Sequence, residues 1–200
     1  MIAILDYGSG NLRSAERAFA TSCLDVVVTA DRAVALEADG LVVPGVGAFA
    51  ACMQGLQSVD GGAIIRERIT NERPVLGICI GMQILFQNGS EHGENGNHVG
   101  VGVWDGEVSR LDAPILPHMG WNNVECDPNS TLFKGVAGES FYFVHSYAAK
   151  KAVGKMQGWS FHGEKFLSAV EDGYVSATQF HPEKSGDAGL DLIANWVKSL

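Results

Sequence analysis

Pro74-Val75-Leu76-Gly77-Ile78-Cys79-Ile80-Gly81 reads as an apolar strand that runs into a cysteine with glycine two positions to either side, then into the helical pattern Met82-Gln83-Ile84-Leu85-Phe86. A sharp strand-to-helix turn forces backbone segments close together and holds its central residue in strained geometry. Such a turn needs small neighbours and suits a nucleophile. The positive end of the following helix favours a thiolate there. A buried structural cysteine beside a packing glycine fits the same residues, because cysteine is among the most buried residue types.

Outward from this stretch, the first half of the chain alternates strand and helix signals. Residues 2–5, 26–28, 41–43 and 75–78 are short apolar runs rich in β-branched residues, as expected of strands buried on both faces. Helical stretches lie between them: residues 12–22, with Asn11 as N-cap, and residues 62–71, where helix formers flank Ile64, Ile65 and Ile69. This order predicts a parallel sheet with right-handed crossovers and ligands at the carboxyl ends of the strands. From Gly102 the texture changes. Residues 103–108, 141–144 and 174–180 look like strands separated by Gly, Pro and Asn, which predicts antiparallel additions. Residues 189–200 close the chain as a helix with Leu190, Ile193, Val197 and Leu200 on one face. Residues 89–100, polar and glycine-rich, read as a mobile surface loop. The expectation is a single α/β domain over residues 1–200. It has a central, mostly parallel sheet flanked by helices, a nucleophile at a strand-to-helix elbow, and extra antiparallel strands in the C-terminal half.

Composition narrows the function classes. Two hundred residues, 46% of them hydrophobic, can bury a substantial core, and the mean hydropathy of +0.07 fits a soluble globular chain. No apolar run approaches the ~20 residues that cross a bilayer, and the first residues lack the basic-then-apolar order of a signal peptide. A cytoplasmic location is expected. The net charge of −9 argues against a nucleic-acid backbone binder. Cys23, Cys52, Cys79 and Cys126 lie far apart with no CxxC spacing, so reduced thiols are expected and a structural metal is not. No cofactor is implied.

Two further segments carry chemistry. In Gln179-Phe180-His181-Pro182-Glu183-Lys184, side chains two apart on an extended segment share a face, and Pro182 favours extension at His181. Glu183 could then orient the His181 imidazole and stabilise its protonated form, as the third member of a Cys–His nucleophilic pair does. A strand-end histidine beside a solvated glutamate is the plainer alternative. In Leu41-Val42-Val43-Pro44-Gly45-Val46-Gly47-Ala48-Phe49 a strand meets a glycine turn and then a helical pattern. Such a turn can aim backbone N–H groups at a developing oxyanion, with the Ile80 N–H as the other donor. A plain connection explains the glycines equally well.

In combination these motifs are similar to those of the triad (class I) glutamine amidotransferases. Asp6-Tyr7-Gly8-Ser9-Gly10-Asn11-Leu12, His118-Met119-Gly120-Trp121-Asn122, Tyr142-Phe143-Val144-His145-Ser146-Tyr147 and His181-Pro182-Glu183-Lys184-Ser185 narrow the resemblance to the glutaminase subunits of imidazole glycerol phosphate synthases. The likeness runs from residue 6 to the final helix, while residues 88–99 and 148–165 match nothing in it. It implies Cys79 as nucleophile, His181 as general base and acid, Glu183 as orienting carboxylate, and Val46, Gly47 and Ile80 as backbone oxyanion donors. It further implies that Gln83, Glu91, Ser146 and Tyr147 hold the substrate, and that Asn11, Met119, Trp121 and Lys184 face a synthase partner. That partner would be a (β/α)8-barrel cyclase, joined to this chain as a heterodimer and supplied with ammonia from L-glutamine for histidine biosynthesis. The alternatives are a glutaminase serving anthranilate, aminodeoxychorismate or pyridoxal phosphate synthesis, or a non-catalytic interaction module on the same fold.

Overall fold

The four apolar runs of the first half become neighbouring strands of one sheet. In the computed structural model, which describes residues 1–22, 25–91 and 98–200, the elements follow in chain order. They are β1 (Ile2–Leu5), α1 (Leu12–Ala20), β2 (Val26–Thr29), α2 (Arg32–Glu37), β3 (Gly40–Gly45), α3 (Phe49–Ser58) and α4 (Gly61–Thr70). Next come β4 (Val75–Cys79), α5 (Ile80–Gln83), β5 (Phe86–Gly89), β6 (His98–Val99), β7 (Trp104–Arg110), β8 (His118–Asn123) and β9 (Glu125–Cys126). The chain closes with β10 (Ser140–His145), β11 (Tyr147–Ala149), β12 (Met156–His162), β13 (Glu164–Asp172), β14 (Val175–Thr178), a 3-10 turn (Pro182–Lys184) and α6 (Gly186–Lys198). Cys23 and His92 lie outside the described residues.

The main sheet has the order β2-β1-β3-β4-β14-β13-β12-β9. Its first five strands are parallel and its last three antiparallel. Every residue of β1, β3 and β4 is buried, which is why these strands read as unbroken apolar runs. A four-stranded sheet, β11-β7-β5-β6, and a β8–β10 ribbon flank it. The ribbon is fastened by aromatic packing: Phe180 stacks on Phe141 at 4.4 Å and meets Phe143 edge-on at 5.5 Å.

Behind the parallel block, α4 sends Arg68 into the interior, where it is fully buried. Its guanidinium donates to the carbonyl oxygens of Ala35, Leu36, Ala38, Asp39 and Pro74 at 2.8–3.2 Å. These acceptors include carbonyls at the end of α2 that have no helical partner. Burial lowers the Arg68 pKa to about 10, and the side chain stays charged.

The structure departs from the sequence reading at four places. The helical pattern of residues 82–86 stops after one turn: Phe86 opens β5, pairs in parallel with Trp104, and packs its ring 5.4 Å from the indole. Ladder pairing and aromatic burial override the helical period. The stretch 89–100, read as a loop, is bounded by strand at both ends, Gly89 closing β5 and β6 pairing back onto it. The C-terminal strands are not all antiparallel, since β14 runs parallel to β4 and β5 to β7. Finally, α6 is rotated from its expected face. Gly189, Leu192, Ile193 and Trp196 are buried, Leu190 and Val197 flank them, and Leu200 is 39% exposed. Seating the indole of Trp196 edge-on against Phe19 at 5.9 Å sets that rotation.

Candidate active site

Three glycines make the elbow at the end of β4 possible. A Cβ on Gly81 would lie 1.8 Å from the Val43 carbonyl oxygen, one on Gly77 would lie 2.7 Å from the Gly81 oxygen, and one on Gly45 would lie 2.6 Å from the Gly81 nitrogen. Only glycine lets β3, β4 and α5 come this close. Between them Cys79 sits at φ 58°, ψ −113°, a conformation that side-chain-bearing residues avoid. The expected strain at the nucleophile position is therefore present. The expected helix beyond it is a single turn.

β14 lies beside β4 in parallel register, with Thr178 opposite Ile78. The chain leaving β14 stays extended, His181 having φ −100° and ψ 94°. Phe180 turns into the aromatic core, so Gln179 and His181 turn together toward the sulfur. The His181 imidazole faces the Cys79 side chain across the same cavity, close enough for the two to interact electrostatically. Its Nδ1 lies 2.7 Å from Glu183 Oε1, both side chains being almost wholly buried. Glu183 reaches the ring from the 3-10 turn rather than from a continued strand; the pairing is as expected and the backbone is not. Burial alone would disfavour the charged ring. The Cys79 sulfur and Glu183 carboxylate outweigh it and raise the His181 pKa to about 10.

Gln83 lies buried one turn past Cys79. Its Nε2 donates to the Tyr147 carbonyl at 2.8 Å and to Gln179 Oε1 at 2.9 Å. Gln179 Nε2 in turn lies 3.8 Å from Cys79 Sγ. The Gln83 Oε1 is buried with no protein partner, an acceptor offered to whatever fills the cavity above it.

That cavity, of about 390 Å³, is lined by Cys79, Ile80, Gln83 and His181 from the elbow and its neighbour, and by Val46 and Gly47 from the turn after β3. Glu91, Ser146, Tyr147, His145 and Lys184 also line it. The size suits a small metabolite. One Glu91 oxygen accepts the Phe49 N–H at 2.7 Å, capping α3. Val46 donates its N–H to Ser9 Oγ at 3.1 Å and accepts that hydroxyl at its carbonyl at 2.9 Å. Asn11 caps α1, its side chain accepting the Ser14 N–H at 3.3 Å, and α1 packs against the 3-10 turn that carries Lys184. Met119 and Trp121 project from β8, 65% and 60% exposed.

A buried histidine pair backs the wall. His145 Nδ1 lies 2.9 Å from the Tyr147 carbonyl, His145 Nε2 lies 3.0 Å from His118 Nδ1, and His118 Nε2 lies 3.2 Å from Asn122 Nδ2. Burial lowers the pKa of His118 to about 4 and that of His145 to about 3, so both rings are neutral at physiological pH.

The sequence pattern of the glutamine amidotransferase class-I family matches residues 3–200. The chain belongs to that family. Among relatives of this amidotransferase are the imidazole glycerol phosphate synthase subunit HisH of Nocardia farcinica, 58% identical across all of this chain and 98% of that one, and its namesake from Mycobacterium tuberculosis H37Rv, 55% identical over 100% and 98%. Solved structures with the same fold include one described as a glutamine amidotransferase, with a TM-score of 0.74 at 18% identity over 97% of this chain and 98% of that one. Another is the glutaminase domain of Trypanosoma brucei CTPS with bound acivicin, with a TM-score of 0.66 at 17% identity over 98% and 93%. Sequence reading of this amidotransferase did not single out His145 or Gln179. The i, i+2 relation of Gln179 to His181 was the available signal for the second, whereas the His145–His118 contact crosses two strands and leaves none.

Proposed function

We propose that this chain is the glutaminase subunit of an imidazole glycerol phosphate synthase. It hydrolyses L-glutamine to glutamate and ammonia and passes the ammonia to a (β/α)8-barrel cyclase, which makes imidazole glycerol phosphate and an aminoimidazole carboxamide ribonucleotide in histidine biosynthesis. One arrangement supports the chemistry: a single imidazole, on His181, bonds a buried carboxylate and lies beside a strained cysteine that favours its charged form. The full-length relatives at 55–58% identity carry the choice of synthase.

In this reading the Cys79 thiolate attacks the side-chain amide carbon of glutamine, and negative charge moves onto the carbonyl oxygen. The N–H groups of Ile80 and of the turn at Val46 and Gly47 receive it; one such donor is typically worth about 2.7–4 kcal/mol. His181, its charged form held by Glu183, gives its proton to the amide nitrogen, and ammonia leaves a thioester behind. Water then loses a proton to the same ring and attacks the thioester carbon, which returns the thiolate and releases glutamate. Gln83, Glu91, Ser146 and Tyr147 hold the amino-acid end of the substrate. Asn11, Met119, Trp121 and Lys184 meet the cyclase, so the mouth of the cavity opens toward the enzyme that uses the ammonia. The Val46 N–H is engaged by Ser9, which supports the reading that this turn presents a donor only in the assembled enzyme. No helix of the described residues is long and apolar enough to cross a membrane, and we place the heterodimer in the cytoplasm.

The test is reconstitution with the barrel subunit. Cys79→Ala and His181→Ala should abolish glutamine-dependent synthesis and leave ammonium-dependent synthesis intact, while Glu183→Ala keeps part of the rate. Glutamine-dependent turnover that survives Cys79→Ala, or copurification with a different synthase, would overturn the proposal.

A further inference from the structure

The Cys79 sulfur has a second polar neighbour besides His181. Gln179 is fully buried in the extended segment between β14 and His181, and its side-chain amide approaches Sγ at 3.8 Å. Which end of that amide faces the sulfur decides its chemistry: an N–H would stabilise a thiolate, and a carbonyl oxygen would repel it.

The hydrogen-bond directions leave one answer. The Tyr147 carbonyl can only accept, so Gln83 must turn its NH2 group toward it, 2.8 Å away. The second hydrogen of that NH2 group then points at Gln179 across 2.9 Å, which requires the Gln179 oxygen to face it. The Gln179 NH2 group is thereby turned to Cys79. The same logic runs back through the wall. His145 donates from Nδ1 to the Tyr147 carbonyl, so its Nε2 accepts. His118 must then donate from Nδ1 and accept at Nε2, where the Asn122 NH2 group supplies the hydrogen. All the directions are mutually consistent with two neutral histidines.

We infer that Gln179 is a further functional residue of the site: an oriented N–H donor to the Cys79 sulfur, fixed in direction by Gln83 and the Tyr147 carbonyl, that favours the thiolate over the thiol. A neutral sulfur at this distance accepts weakly. A negative one accepts strongly, so the contact discriminates between the two states. The inference deepens the proposed function and rests on its assignment of Cys79 as nucleophile. It also gives Gln83 a second duty, since the residue that meets the substrate sets the donor on the nucleophile.

The experiment measures alkylation of Cys79 by iodoacetamide against pH in the full-length chain, with the adduct located by mass spectrometry so that other cysteines do not contribute. Gln179→Met keeps the length of the side chain and removes the donor; Gln179→Glu keeps its shape and replaces the donor with a carboxylate. The acid limb of the profile should move up by about one pH unit in the first variant and further in the second. A Gln179 that serves packing alone would lower the melting temperature and leave the limb in place. That result in folded Gln179→Met overturns the inference, and Gln179→Leu decides if Gln179→Met does not fold; Gln179→Glu calibrates how strongly a charge at this position is felt by the sulfur. Failure of the proposed function is seen separately, as unsubstituted chain that turns over no glutamine with the barrel subunit.

Discussion

Cys79 adopts a backbone conformation that glycine enters freely and other residues enter at a cost of roughly 1–3 kcal/mol. The chain thus carries a stability cost at the residue proposed as nucleophile, and substitutions there can separate strain from activity. Cys79→Ala and Cys79→Gly should both be inactive, but Cys79→Gly should be the more stable, by on the order of 1 kcal/mol, because it relieves the strain. Urea unfolding of the pair measures the difference, and an alanine variant equal to or more stable than the glycine one contradicts the strain. The elbow at Cys79 and the His181–Glu183 contact were legible at this scale because both sit in short motifs whose spacing reflects backbone geometry: glycines at plus and minus two, and proline between histidine and glutamate. For Gln179 the i, i+2 relation to His181 signalled its direction, but not its partner, because its meeting with Gln83 on α5 leaves no trace in local sequence.

Among the elements, the parallel block was plain in the sequence and the remainder was not. β1, β3 and β4 are buried on both faces and read as solid apolar runs. β8, with its alternation of buried and exposed residues over His118-Met119-Gly120-Trp121-Asn122-Asn123, has polar residues on both faces and went unread as a strand. β12 and β13 were likewise missed, and α2, at six residues, is too short for a period to show. The sequence also gave no hint that Arg68 faces inward on α4, because an arginine on a helix is ordinarily solvated. Its five carbonyl contacts tie α4 to the end of α2 and to the start of β4. Arg68→Met fills the space but leaves those acceptors dry. Loss of charge-assisted bonds of this kind predicts destabilisation of about 3 kcal/mol, read as a lower urea midpoint. A loss below about 1 kcal/mol would mean that the carbonyls find water.

For the whole molecule, the buried pair His118 and His145 costs stability on the acid side, whereas His181, with its raised pKa, loses its share only as pH rises toward about 10. His118 and His145 have folded-state pKa values of about 4 and about 3, below the ordinary histidine value of about 6.5. Unfolding lets them take up protons, so the stability that their neutral forms contribute is complete above about pH 6.5. It declines as pH falls toward 4, by up to about 1.4 kcal/mol per pH unit for each ring. Unfolding free energy measured from pH 7 to pH 4.5 should show that slope. His118→Gln or His145→Gln should remove one ring's share, and an unchanged slope in both would place the acid sensitivity elsewhere. The fold class was legible at this scale because the alternation of strands and helices in the first hundred residues dictates it.

The insertion of β14 between β4 and β13 bears on how the protein is born. Cys79 emerges from the ribosome about a hundred residues before His181, and the strand that brings them together is among the last of the described strands to be made. Until that strand slots in beside β4, the nascent polypeptide carries Cys79 without the His181 imidazole. Translation must run past β14 before the cavity above Cys79 can form around both groups.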